Sequence, residues 1–276
     1  MPFFSIITST YNAAQTLPRL LDSLASQTCR DFELIIQDGA STDETLAICE
    51  RYRNSLPSLS VASESDSGIY DAWNRAVRRI HGSWVIFLGA DDTLVGVTTL
   101  ETVRAILEHQ PQSVFFGAGD IIICEDGTDL FVMPGLENEV AAQMRRGGPA
   151  VHSGLFQRAH LFLGKPFDTT FAVVGDYDFV TRLWKRDKDG VHLGVLVTRM
   201  SVGGATSNLR TILRYRFEIV RVIRRYFGWR ATIPHLPGLV KGLFPCVLSR
   251  LLSPQQAVFL YNALRKARNL PPLPVK

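Results

Sequence analysis

The 276 residues are 46% hydrophobic and 20% charged, with a mean hydropathy of +0.08 and a net charge of +4. That balance belongs to a soluble globular protein, long enough for one large domain or a domain with an appendage. Four scattered cysteines without a CxxC pair argue against a zinc site or a disulfide framework and fit a reducing, intracellular setting. The chain opens directly in strand-like sequence, with no basic leader before an apolar core, so no signal peptide is expected.

Charge divides the chain. Residues 209–276 hold 13 Lys or Arg against one acid, Glu218, a net +12, so with +4 overall the first 208 residues carry −8. Two parts are therefore expected: a domain over residues 1–208 and a basic helical extension over 209–276.

Residues 3–12 (FFSIITSTYN) are an apolar strand that breaks into Thr10, Tyr11 and Asn12. Leu17, Leu20, Leu21 and Leu24 then recur at helical spacing within residues 13–26. Residues 32–41 (FELIIQDGAS) repeat the pattern: a buried strand, Asp38 at its end, a Gly-containing turn and a helix over 42–53. Asp43 and Glu44 are expected in the first turn of that helix, where the dipole favours them. A weaker strand covers residues 58–65 and a helix covers 68–80.

Residues 84–92 (WVIFLGADD) follow. Val85 to Leu88 read as a strand buried on both faces, as in parallel sheets. It ends in Gly89 and Ala90, then Asp91 and Asp92. Two readings of those carboxylates compete. Adjacent acids beyond a strand's carboxyl end suit a hard cation such as Mg²⁺ or Mn²⁺ bridged to a diphosphate. Alternatively one of them caps the helix expected over residues 98–110.

Strand–helix alternation at this spacing predicts an α/β fold with a mostly parallel, doubly wound sheet. Polar residues recur where strands end, at Thr10 to Asn12, Asp38, Glu64 and Asp66, and Asp91 and Asp92. Strand ends of such a sheet share one edge, so these groups are expected to converge on one site.

In that order and spacing, STYN, QDGASTDET, SDSGIYDAWNRA and FLGADD resemble the family-2 glycosyltransferases, nucleotide-sugar-dependent enzymes of the GT-A fold. The likeness covers roughly residues 3 to 95 and reappears at residues 167–183 (FDTTFAVVGDYDFVTRL). It implies a Rossmann-like nucleotide-binding half and an acceptor half. Thr10 and Tyr11, with Asn12, would border the base and ribose, and Asp38 would accept from the nucleobase. Asp66 and Gly68, with Asn74, would lie along the nucleotide. Asp91 would be the metal-binding acid of a D-x-D motif, with Asp92 beside it. The first acid of that motif is replaced by Gly89, a departure that leaves ribose recognition to another group or to water.

Residues 120–133 read as a hairpin around Glu125, Asp126 and Gly127, on the acceptor side. The Gly-rich stretch 145–156 carries His152, either a structural histidine or a contact to acceptor or diphosphate. In residues 173–186 the spacing of Phe179, Val180, Leu183 and Trp184 is helical, with Asp176 at or near the N-cap. By residue type alone Asp176 is a cap. By resemblance it is the catalytic base that takes the proton of an attacking sugar hydroxyl, ahead of Asp178.

In the extension, Ile212, Leu213, Phe217, Val220, Ile223 and Phe227 lie roughly on one helical stripe, with Arg214, Arg221, Arg224 and Arg225 mostly elsewhere. The apolar stretch 236–252 is broken by Lys241, Pro245 and Arg250 and is not a spanning segment. A basic amphipathic pair fits an anionic membrane surface, or packing on the acidic domain; no nucleic-acid module accompanies it.

The expectation is an inverting, divalent-metal-dependent glycosyltransferase, cytoplasmic and peripheral at the inner face of the plasma membrane. It would move a sugar from a nucleoside-diphosphate donor to a glycan or lipid-linked saccharide. The Q-x-x-R-W motif and spanning helices of processive synthases are missing, so one sugar per encounter is expected. The alternatives are a sugar nucleotidyltransferase, disfavoured because STYNAAQTL has no basic Gly-rich phosphate loop, and a non-catalytic nucleotide-sugar binder.

Overall fold

The computed structural model describes residues 1–125, 127–135, 140–147, 151–164, 166–201 and 209–238. Asp126 and most of the 236–252 stretch lie outside these. The chain divides into two compact units, Met1–Ser201 and Val202–Lys276, whereas the change in charge falls between 208 and 209.

The first unit opens with β1 (Phe4–Thr10), α1 (Leu17–Ala25), β2 (Phe32–Asp38), α2 (Thr45–Arg51), β3 (Leu59–Ser63), α3 (Ile69–Ala76) and β4 (Trp84–Phe87). Every residue of β2 and β4 is buried, the mark of strands covered on both faces. These four strands are parallel in the order β3-β2-β1-β4. The chain steps outward from β1 to β3, then returns to β4 on the other side of β1. That reversal opens a crevice beyond the carboxyl ends of β1 and β4, where ligands bind in open α/β sheets. Leu17, Leu20, Leu21 and Leu24 of α1 pack in one core cluster with Ile6, Leu34, Ile36 and Ile86. Fully burying one such side chain contributes about 1.5–3 kcal/mol.

Asp43 is not in a helix turn. Helix α2 has Glu44 at its N-cap, and the Asp43 carboxylate accepts instead from the N–H groups of Ala14 (3.0 Å) and Thr45 (3.0 Å). It ties the loop after β2 to the loop after β1.

Beyond β4 come β5 (Thr93–Leu94), α4 (Thr99–Leu107), β6 (Phe116–Glu125), β7 (Thr128–Met133), α5 (Val140–Arg145), β8 (Leu155–Arg158), α6 (Gly175–Leu183) and β9 (Gly190–Ser201). Among the described residues they complete one sheet ordered β3-β2-β1-β4-β8-β6-β9-β5, with β7 on β6. This half is mixed: β8 is antiparallel to β4 and β6, whereas β6 and β9 are parallel. The expected hairpin is β6–β7, with β6 starting four residues earlier than the sequence pattern marks it.

The second unit contains α7 (Leu209–Phe227) and a following 3-10 turn, Trp229–His235. Among the described residues no helix is long and apolar enough to cross a membrane.

Candidate active site

The site is built on strand ends. Thr10 and Asp38 are partners in the β1–β2 register, and the Thr10 hydroxyl donates to Asp38 Oδ1 at 2.8 Å. Asp38 is fully buried and also accepts from the Ser41 N–H (2.8 Å), the Ser41 hydroxyl (2.5 Å) and the Ser63 hydroxyl (2.7 Å). Burial alone would raise its pKa; the hydrogen bonds from Ser41, Ser63 and Thr10 outweigh that and hold it below the usual carboxylate value. Asp38 therefore organises the three strand ends. Any further donor would reach it only by turning aside a hydroxyl of Thr10, Ser41 or Ser63.

Asn12 locks the same corner, its Oδ1 accepting from the Thr42 N–H (2.9 Å) and its own N–H donating to the Ser41 hydroxyl (2.8 Å). Among the described residues the two non-glycine left-handed φ values are Asn12 (49°) and Ala40 (61°), one in each loop facing the crevice. Such backbone is held only where its surroundings over-determine it. Tyr11 stands beside them, 69% exposed and available to a ligand ring. Asp66 lies with Oδ2 against Gly39, and its Oδ1 accepts from the Gly68 N–H at 2.9 Å. Gly68, at φ 127°, then starts α3.

Asn74 corrects the sequence expectation. It is buried, and its side-chain amide makes a reciprocal pair with the Phe167 backbone, donating to the carbonyl (2.9 Å) and accepting from the N–H (3.0 Å). Both ends are spent across 93 residues of chain, so Asn74 pins the approach to α6 rather than a nucleotide.

The cap reading of Asp91 and Asp92 fails, because β5 intervenes and α4 has Thr98 at its N-cap with no side-chain cap. The two acids differ. Asp92 is 1% exposed, with Oδ2 turned back to the Gly89 N–H at 2.8 Å. Burial, with the charge of Asp91 adding, pushes its pKa up to about 7 against the opposing pull of His152 and that N–H. Asp91 is half-exposed, and among the described residues its carboxylate accepts no hydrogen bond. Glycine at 89 is what both conformations need: a Cβ there would lie 2.8 Å from Asp91 Oδ1 and 3.2 Å from Asp92 Oδ2.

Across the crevice, Asp176 is the second residue of α6, two positions past the Val174 N-cap, so it is not the cap itself. Its Oδ1 accepts from the Tyr177 N–H (2.9 Å) and lies 3.0 Å from the Tyr70 hydroxyl, whose single proton is shared with the Val173 carbonyl (2.8 Å). Burial, reinforced by the Asp176 charge, raises the Tyr70 pKa well above the ordinary tyrosine value, so this hydroxyl stays a donor. The approach is close because residue 175 is glycine: a Cβ there would come within 2.8 Å of the Tyr70 ring. Behind them Tyr70, Trp73, Phe87, Phe162, Phe167 and Phe179 pack ring on ring, fastening α3, β4 and α6 together. Such pairs add about 0.5–1.5 kcal/mol each beyond their buried area.

His152 completes the group. Its Nδ1 lies 3.5 Å from Asp176 Oδ2 and its ring meets the edge of Trp73 at 5.5 Å. Burial would lower its pKa, but Asp176 in contact and Asp92 and Asp91 beyond leave it above the ordinary imidazole value. A cavity of about 10 Å³ behind His152 and Asp176, walled by Trp73, Phe87, Phe167 and Phe179, holds no more than about one water. A sugar ring does not fit in that cavity. Asp178 is 1% exposed, closed off from the crevice that Asp176 faces.

Among the described residues no three acids, histidines or cysteines form a closed metal cage. The donor set at Asp91 nonetheless fits Mg²⁺ or Mn²⁺, which keep waters and take one or two carboxylates plus substrate phosphate oxygens. Tyr70 and the reach of His152 toward three carboxylates were not legible in the sequence. The only signal for them was their place in the SDSGIYDAWNRA and VHSG segments.

A family model described as glycosyl transferase family 2 matches residues 5–151. Among relatives, a PGL/p-HBAD biosynthesis glycosyltransferase of Mycobacterium bovis is 40% identical over 185 residues, 66% of this chain and 69% of that protein. The Staphylococcus aureus poly(ribitol-phosphate) beta-N-acetylglucosaminyltransferase TarS is 36% identical over 109 residues, 38% of this chain and 19% of that protein. Among solved structures, the mannosyltransferase PcManGT of Pyrobaculum calidifontis, in complex with GDP-Man and Mn²⁺, aligns with a TM-score of 0.63 at 18% identity, over 96% of this chain and 80% of that one. TarS residues 1–349 of S. aureus, in complex with UDP-GlcNAc, gives 0.60 at 19% identity, over 88% and 73%. At such identities the structures show the shared fold, while the match over residues 5–151 spans the crevice from β1 to the threshold of His152. The chain belongs to glycosyl transferase family 2.

Proposed function

We propose that this glycosyltransferase is metal-dependent and inverting. It transfers one sugar per encounter from a nucleoside-diphosphate donor to a hydroxyl of a glycan or lipid-linked saccharide. Its setting is the biosynthesis of cell-surface polysaccharide or glycolipid, at the cytoplasmic face of the membrane. The observation that carries this is Asp176, a partly exposed carboxylate held by Tyr70 and His152 at the mouth of the crevice whose other wall ends in Asp91. Support for the donor and metal comes from the fold relatives, solved with UDP-GlcNAc and with GDP-Man and Mn²⁺. Support for the acceptor class comes from relatives named for PGL/p-HBAD biosynthesis and for poly(ribitol-phosphate).

In this reading the nucleoside lies over Tyr11 and the loops fixed by Asn12, Asp38 and Asp66. Asp91 would hold a Mg²⁺ or Mn²⁺, which when bound would supply positive charge to the departing diphosphate. Asp176 accepts the proton of the acceptor hydroxyl as its oxygen closes on the anomeric carbon. Tyr70 and the Tyr177 N–H occupy Oδ1 and leave Oδ2 toward His152 and the open side. Asp92 and Asp178 are buried and Asp91 is taken by the metal, so Asp176 is the acid suited to the role of base. One base without a protein nucleophile gives a single displacement.

The test is release of nucleoside diphosphate from a panel of nucleotide sugars, with Mn²⁺, with and without saccharide acceptors. Acceptor-stimulated release is expected for one donor. A donor that binds without any release, with acceptor or without, would instead make the chain a non-catalytic nucleotide-sugar binder.

A further inference from the structure

In the second unit, the exposed residues of α7 include Arg214, Phe217, Arg221 and Arg224, at spacings of three, four and three, which is one face of a helix. Ile219, Val222 and Ile223 on the other face are buried, as is Glu218, which accepts from Arg214 Nε at 2.9 Å. Phe217, expected with the apolar stripe, thus stands 48% exposed among the arginines. Gly228, at φ 82°, ends the helix, and the chain then presents Trp229 (64% exposed), Ile233 (51%) and Leu236 (46%). The Arg230 guanidinium lies 5.7 Å from the Trp229 ring centre. Glu218 is the one acid between 209 and 276, buried and paired with Arg214, so among the described residues the charge that α7 and the turn after it expose, from Arg221, Arg224 and Arg230, is basic.

We infer that the Arg214–Phe217–Arg221–Arg224 face of α7, with Trp229, Ile233 and Leu236, is a docking surface for an anionic phospholipid bilayer. A basic helical face draws the unit to negative headgroups, and Trp, Phe and Ile settle at the acyl boundary beneath them. An aqueous surface gives those large side chains nothing in return. Residues 1–208 carry a net −8 and residues 209–276 a net +12, so the chain's net attraction to such a surface lies in the 209–276 segment. Over 19 residues α7 offers a strip about 28 Å long, enough to lie along the interface.

The protein carries its own probe. Of its four tryptophans, Trp73, Trp84 and Trp184 are buried and only Trp229 is exposed. The full chain is titrated with neutral phosphatidylcholine vesicles and with vesicles containing phosphatidylglycerol, reading co-sedimentation and tryptophan emission. Binding and a blue shift are expected with the anionic vesicles only, both reversed by salt as the Debye length shrinks below about 10 Å. Arg224→Ala and Arg230→Ala should each weaken binding by about fivefold. Trp229→Phe should abolish the shift and keep the co-sedimentation. Equal binding to neutral vesicles, or binding without a shift, would overturn the inference. So would concentration-dependent self-association removed by the same substitutions, which would assign the face to a second copy. No arm depends on sugar transfer, so these outcomes stand apart from the test of catalysis.

Discussion

Asp176→Asn is expected to lower turnover by about 10²- to 10⁴-fold, the usual worth of a general base. Melting temperature and donor binding should stay close to wild type. Asparagine keeps the oxygen that accepts from Tyr70 and the Tyr177 N–H, so the position of α6 against α3 is preserved. What is lost with the charge is its interaction with the helix dipole, about 0.3–1 kcal/mol, its pairing with His152 at 3.5 Å, and the ability to take a proton. Asp178→Asn is the informative control: that carboxyl is buried inside the fold, so its loss should act on stability before chemistry. Turnover of Asp176→Asn within a few-fold of wild type would remove Asp176 from the chemistry and turn attention to His152.

Asp91→Asn should reduce Mn²⁺-dependent donor affinity on the order of 10²-fold, the few kcal/mol a metal clamp contributes. The side chain is half-exposed and accepts no hydrogen bond among the described residues, so the fold has little reason to change. Calorimetry of nucleotide-sugar binding with and without Mn²⁺ separates the effects. The metal-dependent part should vanish and the metal-free part should persist. An unchanged dissociation constant in Mn²⁺ would take Asp91 out of the donor site.

Local chemistry was the part of this molecule open to reading from sequence. Apolar runs of four to seven residues, each ending in polar groups, are what doubly covered parallel strands look like, and β1, β2 and β4 fell where those runs lie. Thr10, Asp38 and Asp66 converge because parallel strands share a carboxyl edge. The pairings that depend on distant chain were not readable. The amide of Asn74 answers a backbone 93 residues away, and Tyr70 meets Asp176 across 106. No periodicity records either contact. The mixed half of the sheet was hidden for a similar reason: β8 is four residues long, and its partners β4 and β6 lie well upstream in the chain. On α7 the exposure of Phe217 was hidden too, because a broad apolar stripe does not say which of its edges is covered. The burial of Glu218 and Ile219 shows that the covered face is rotated away from Phe217.

The mechanism is tested most directly by the anomeric configuration of the product, read by proton NMR on material made with the donor that the chain turns over. A single displacement driven by Asp176 from the face opposite the diphosphate predicts a glycosidic bond inverted relative to the donor. A product with the donor's configuration retained would contradict the account, because retention needs a second displacement or a return on the leaving-group face, and one carboxylate base provides neither.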